Sequence, residues 1–243
     1  MNKLFLLDAY SLIYRAYYGL SRTPRINSKG MNTGAIFGFV NMLHEIISKG
    51  GATHLAVAFD HGKTFRHEAY PPYKAQRQET PEDIKKAVPY IKSILEAWHI
   101  PVLQADGYEA DDVIGAVATA MSKLTGADIA ACETGMGQQT ADEKAENSVD
   151  DDKNVGQNET EKVSEDRQDG TDGMQKDAVS SAVETYMVTQ DKDYGQLVKP
   201  NVFIYKPHQH GGGYDVIGVK EVCQQFQVER PEQVADFLAL KGD

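Results

Sequence analysis

Gly107-Tyr108-Glu109-Ala110-Asp111-Asp112-Val113-Ile114-Gly115 sets three carboxylates within four residues at the head of a segment with helical apolar spacing. A helix N-terminus carries only about half a positive charge, which favours one carboxylate but cannot hold three together at neutral pH. Taken alone, the cluster reads as first-turn acids, which helices favour. Acids at matching places elsewhere change that reading. Asp8 follows the run Lys3–Leu7, Asp60 follows Leu55–Phe59, and Asp191 and Asp193 follow Thr185–Thr189. Each run reads as a buried strand that ends in a carboxylate.

Outward from these acids the chain alternates strand and helix. Residues 3–7 have the pattern of a central parallel strand covered on both faces. A helix over about 11–18 sets Tyr10, Tyr14 and Tyr18 at helical spacing, at least two of them packed against the sheet, and Arg15 on it is a phosphate candidate. Residues 20–33 read as a loop, and 34–48 as a helix with Ile36, Phe37, Val40, Leu43, Ile46 and Ile47 on one stripe. Strand 54–60 completes a β-α-β unit, parallel and right-handed.

Residues 61–77 are basic and aromatic without apolar periodicity. A helix beginning at Pro71-Pro72 would put Tyr73, Lys74 and Arg77 on one face. Thr80-Pro81 reads as an N-cap followed by a first helical proline, leading a helix with Ile84, Val88, Ile91, Leu95 and Trp98 in register. A short strand at 100–103 and a helix from Glu109 to about Leu124 follow. Strands at 185–190, 202–205 and 214–217 and two short helices, 219–226 and from Pro231, complete the α/β pattern of a mostly parallel sheet flanked by helices. His208 and His210 read as a polar hairpin tip, with a metal pair as the alternative.

The 243 residues, 41% of them hydrophobic, suffice to bury a sizeable core. A net charge of −11 argues at first against a phosphate-rich partner. Its distribution reverses the argument: residues 131–184 hold 15 acidic and 5 basic residues, leaving 21 against 20 elsewhere. That stretch lacks periodicity and is expected to be a disordered acidic insertion, so the folded unit is expected to be 1–130 with 185–243. Cys132 and Cys223 are too few for a disulfide framework, and no targeting or membrane-spanning run is present, which suits a cytoplasmic protein.

In open parallel sheets ligands bind beyond the carboxyl ends of the strands, where Asp8, Asp60, Asp191 and Asp193 are expected. Glu109, Asp111, Asp112 and Asp243 join them as metal candidates, and no His, Cys or Ser stands among the eight. Oxygen-only ligation favours Mg²⁺, with Mn²⁺ able to substitute. Two such ions roughly 4 Å apart would serve in-line hydrolysis of a phosphodiester. The cations and tyrosines of 61–77 would hold the phosphates and stack on unpaired bases.

The Leu6-Leu7-Asp8-Ala9 start, Phe59-Asp60 before Thr64-Phe65-Arg66, Tyr73-Lys74, Gly107–Val113 and Asp191-Lys192-Asp193 together resemble the 5′ nuclease domain of bacterial DNA polymerase I, in the flap endonuclease, PIN-like family. The resemblance covers nearly all of 1–130 and 185–243, in order. It implies a PIN-like α/β fold with a helical arch, and cleavage of DNA at 5′ flaps, nicks or 5′ ends, with a covalent or separate polymerase as partner. It implies one metal held by Asp8, Asp60, Glu109 and Asp111, and a second by Asp191, Asp193 and Asp243 with Asp111 shared. Asp112 corresponds to a further family acid. Lys74, Arg77 and Asp111 are implied as catalytic, and Arg15, Arg66, Tyr73, Lys74 and Arg77 as substrate contacts.

The family pattern continues past Gly242-Asp243 into a second acid and a helix-hairpin-helix element, so a C-terminally truncated domain is expected, and the acidic stretch is not part of the usual pattern. Two alternatives stand beside the nuclease. A catalytically impaired branched-DNA binding module would keep the fold. A phosphatase for small esters would use the same acids but leaves Tyr73, Lys74 and Arg77 without a purpose.

Overall fold

A computed structural model describes residues 2–124, 183–208 and 213–241. The expected insertion at 131–184, His210 and Asp243 lie wholly or almost wholly outside these residues. Among the described residues six strands form one sheet in the order β3-β2-β1-β4-β5-β6. They are β1 (Asn2–Asp8), β2 (His54–Ala58), β3 (Val102–Leu103), β4 (Val183–Val188), β5 (Val202–Pro207) and β6 (Tyr214–Ile217). Every neighbouring pair is parallel except β5 with β6. The fold is thus the α/β, mostly parallel, helix-flanked sheet that the periodicity indicates.

Alternation along β1 assigns its side chains to two layers. Phe5 and Leu7 join a core with Val57, Phe59, Tyr186 and Val188 under α1 (Ala9–Gly19), α2 (Gly34–Lys49) and α4 (Glu82–Ala97). Leu6 points the other way, to Ala56, Ala58, Met187 and Ile204. That layer is covered by α5 (Ala110–Met121), the 3₁₀ turn Lys192–Leu197, α6 (Val219–Phe226) and α7 (Val234–Lys241). In register, Leu7 lies beside Val57 on one side and Val188 on the other. The carboxyl ends of three strands therefore finish level. Strand order reverses at β1, and this switch point is where an open sheet leaves a crevice.

The structure departs from the expected elements at several places. Pro81, not Thr80, precedes α4, because the Thr80 hydroxyl instead accepts a 2.9 Å bond from the Tyr14 hydroxyl. Trp98 ends that helix partly exposed rather than in the core. Phe37 and Ile47 are exposed on α2, and the Arg25 guanidinium lies 3.9 Å from the Phe37 ring centre. Of the three tyrosines on α1, Tyr10 and Tyr14 pack on the core as expected of two, and Tyr18 is exposed.

Where a helical arch is expected, the chain forms a five-residue helix, α3 (Phe65–Ala69), and then consecutive turns through Arg77. The proline pair accounts for this. A residue before proline is pushed out of the helical region, and Tyr70 is extended at φ −142°. Two successive prolines also withdraw two amide donors. Lys74 takes a left-handed φ of 56°, a conformation that costs a non-glycine residue about 1 kcal/mol or more.

Candidate active site

Asp8 both ends β1 and caps α1. Its Oδ1 accepts the Ser11 amide at 3.1 Å and its Oδ2 the Thr189 hydroxyl at 3.3 Å. Burial foremost pushes the Asp8 carboxyl up to about 7; the charges of Asp111 and Asp60 add to the rise, against the Ser11 and Thr189 bonds. The Thr189 hydroxyl also accepts the Asp191 amide at 3.1 Å, so one buried side chain links the ends of β1 and β4. Asp191 caps the 3₁₀ turn by accepting the Asp193 amide at 3.0 Å. Asp60 accepts the Ala110 amide at 2.8 Å, which ties the end of β2 to the first turn of α5.

Gly107 permits the entry to that turn through a φ of +78°, where a side chain would be strained. α5 then opens with a capping box in which Asp112 accepts the Glu109 amide at 3.0 Å. Asp111 projects between two openings. Toward one, a cleft of about 650 Å³, it stands with Asp8, Asp60 and Asp191, facing Lys74, Arg77, Tyr10 and Ser11. Toward the other, of about 560 Å³, it stands with Glu109, Asp112, Asp193 and Tyr194. Burial raises the Asp111 pKa above its ordinary value, as do Asp191 and Asp60, while the 2.8 Å bond from the Tyr194 hydroxyl opposes them.

Segment 61–77 meets α5 through ion pairs. Lys74 Nζ donates to Glu109 Oε1 at 2.6 Å and the Tyr73 hydroxyl to Oε2 at 3.0 Å. Burial draws the Lys74 pKa down, yet the bond to Glu109 and its charge leave it above the ordinary value. Arg66 grips Asp112 with two bonds of 2.6 and 2.7 Å and lies 3.7 Å from Glu109. That fork holds the Asp112 carboxyl below its usual range.

The candidates therefore divide. Asp8, Asp60, Asp111, Asp191, Lys74 and Arg77 share the larger cleft, and Glu109, Asp193, Tyr73, Arg66 and Asp112 adjoin it through Asp111. Asp112 and Arg66 pair with one another where they line the smaller opening. Arg15 lies elsewhere, in a groove with Phe37 and Met42, where its guanidinium donates to the His208 carbonyl. His208 pairs with Asp215 at 2.9 Å across the hairpin. Thr189 and Tyr194 were not among the candidates; a hydroxyl ending an apolar strand and an aromatic directly after Asp193 were the signals available.

Among the described residues, no three His, Cys, Asp or Glu side chains already stand as a closed ion cage. Glu109 is turned onto Lys74, and Asp112 onto Arg66. The donor set nonetheless fits a divalent cation. Among the described residues no lysine or arginine forms an ion pair with Asp8, Asp60, Asp111 or Asp191, and two of these four are held with raised pKa. Acid oxygens gathered without an ion-pair partner are the hard, anionic set that Mg²⁺ or Mn²⁺ favours.

The Arg66–Asp112 fork carries a separate prediction. Substituting Arg66→Met leaves a partly buried carboxylate unpaired at the head of α5, which should lower unfolding stability by about 1–2 kcal/mol, discounted for partial exposure. In the Asp112→Asn background the same change should cost much less. Denaturant unfolding of the four proteins checks this; equal losses in both backgrounds would show that the pair contributes nothing.

The family model for the 5′-3′ exonuclease N-terminal, resolvase-like domain matches residues 3–165. The chain belongs to this 5′-3′ exonuclease family. The 5′-3′ exonuclease of Aquifex aeolicus is 31% identical over 244 residues, covering 100% of this chain and 62% of that protein. DNA polymerase I of Chloroflexus aurantiacus is 30% identical across 99% of this chain. DNA polymerase I of Geobacillus stearothermophilus is 45% identical across 48% of it. The chain spans only 20% and 13% of those two polymerases. Among solved structures, zinc-bound 5′-exonuclease of bacteriophage T5 superposes with a TM-score of 0.54 at 16% identity, over 100% of this chain and 67% of that one. At that identity the likeness speaks for the exonuclease fold alone. No helix among the described residues is long and apolar enough to cross a membrane.

Proposed function

We propose that the chain is a divalent-metal-dependent 5′-3′ exonuclease and 5′-flap endonuclease that hydrolyses DNA phosphodiester bonds with two bound ions. The observation that carries this reading is Asp111, shared by two adjoining openings, with unpaired carboxylates on one side and the cations Lys74 and Arg77 across the same cleft. Asp8, Asp60, Glu109 and Asp111 would hold one ion, and Asp111, Asp191 and Asp193 with Asp243 the other. Mg²⁺ suits such ligands, and Mn²⁺ would substitute. When bound, the ions would activate a water and stabilise the developing charge on the phosphate.

The chain's own residues prepare the rest. Asp60 and Thr189 tie the strand ends to α5 and to one another, while Glu109 must leave Lys74 on ion uptake. Lys74, held on Glu109 by a single bond and partly exposed, is positioned to exchange that carboxylate for a phosphate oxygen. Arg77, exposed on the same wall, supplies a second cation, and Tyr73, on the adjoining opening, a ring for an unpaired base. The DNA polymerase I relatives support a polymerase, fused or separate, as the partner that fills the gap left behind, in a cytoplasmic setting.

The test is a labelled 5′-flap duplex with Mg²⁺ or Mn²⁺, with EDTA as the control. Ion-dependent products cut near the junction are expected. Binding without products would instead identify a DNA-binding module, and hydrolysis confined to small phosphate esters a phosphatase.

A further inference from the structure

Tyr194 has a ring packed among Ala58, Ala110, Val198 and Val234 and is 2% exposed. Its hydroxyl leaves this apolar layer and donates to Asp111 Oδ1 at 2.8 Å, joining residues 83 apart in sequence. A phenylalanine would fill the same apolar space. What the hydroxyl adds is one donor directed into a group of side chains that, ionised, can only accept. Tyr194 also lies on the 3₁₀ turn that carries Asp193 and is capped by Asp191, so one short element presents all three to α5.

We propose that Tyr194 is a positioning residue for Asp111: its hydroxyl occupies one lone pair of Oδ1 and so aims the remaining carboxylate lone pairs at the two openings. The inference rests on the proposed reading of Asp111 as the ligand shared by two ions. Hydrogen bonds behind a ligating carboxylate fix its orientation, and removing such a partner typically weakens ion affinity by about 10–100-fold. No other described side chain is in hydrogen-bond contact with Asp111.

The experiment compares the full chain with Tyr194→Phe, Asp111→Ala and the double variant. Mn²⁺ uptake is measured by calorimetry without DNA, alongside flap cleavage. Tyr194→Phe should melt near the parent temperature, raise the Mn²⁺ dissociation constant about tenfold, and lower kcat with little change in KM for DNA. In the Asp111→Ala background the same substitution should change Mn²⁺ affinity by less than about twofold, since the carboxylate it positions is gone.

Parent-like Mn²⁺ affinity in a folded Tyr194→Phe would overturn the positioning role while leaving the nuclease reading intact. An equal loss in both backgrounds would also overturn it, by showing that the hydroxyl acts through packing. If Tyr194→Phe melts lower than the parent, Mn²⁺ uptake is read at a temperature where both are folded: an affinity about tenfold weaker there supports the proposal and a parent-like one overturns it. A parent chain that takes up no Mn²⁺ would bring down the metal reading and this inference together.

Discussion

Asp111→Asn is expected to lower flap cleavage by at least about 10³-fold, the equivalent of roughly 4 kcal/mol of transition-state stabilisation, in a protein that folds as before. Asparagine has the same shape and keeps a carbonyl oxygen to accept the Tyr194 hydroxyl. The Lys74–Glu109 and Arg66–Asp112 pairs are untouched by the change. Removing one of several acids facing one another relieves repulsion, so the melting temperature in EDTA should stay level or rise. DNA affinity without ions should stay level or strengthen, because one negative charge has left the cleft. A loss of activity that keeps both fold and DNA binding is the signature of an interaction made in the transition state. Cleavage within tenfold of the parent would refute the shared-ligand role of Asp111.

Much of this arrangement is legible in the sequence, for a physical reason. A strand buried on both faces must be continuously apolar, so a charge at its end marks both the strand's limit and the sheet edge it reaches. Asp8 and Asp60 were readable on that ground, and Asp191 and Asp193 follow from Thr185–Thr189 although β4 begins earlier, at Val183. What the pattern could not supply is which charges meet. Arg66 and Asp112 are 46 residues apart, and their fork depends on how the turns after Pro71-Pro72 carry the chain back across α5. Periodicity is equally silent about hydroxyl direction, so the rings at Tyr194 and Tyr14 could be assigned to packing while their bonds to Asp111 and Thr80 could not. Arg15 shows the converse limit: its charge suggested phosphate, and the pattern gave no sign that its guanidinium would meet the carbonyl of His208.

Without ions, the protein should be most stable in mildly acidic solution and lose stability as the pH rises toward and past neutrality. The sign follows from Asp8, whose carboxyl rises from 3.8 to about 7 because it is buried, with Asp111 and Asp60 adding repulsion. Between those values the folded chain holds a proton that the unfolded chain has released, so raising the pH favours unfolding. The full effect is on the order of 4 kcal/mol by pH 8. Asp8→Asn removes this titration while its amide oxygen can still accept the Ser11 amide. The variant should therefore melt higher than the parent at pH 8 in EDTA, with a flatter profile from pH 5 to 8, the residual slope coming from Asp111. Saturating Mn²⁺ should reverse the parent's slope, since ions bind the deprotonated carboxylates and bind the folded chain better than the unfolded one. In the variant Mn²⁺ should stabilise far less, one ligand having been lost. Melting curves across this pH range, with EDTA and with Mn²⁺, decide the matter. Identical EDTA profiles for the parent and Asp8→Asn would mean that Asp8 is not the strained acid of the cleft.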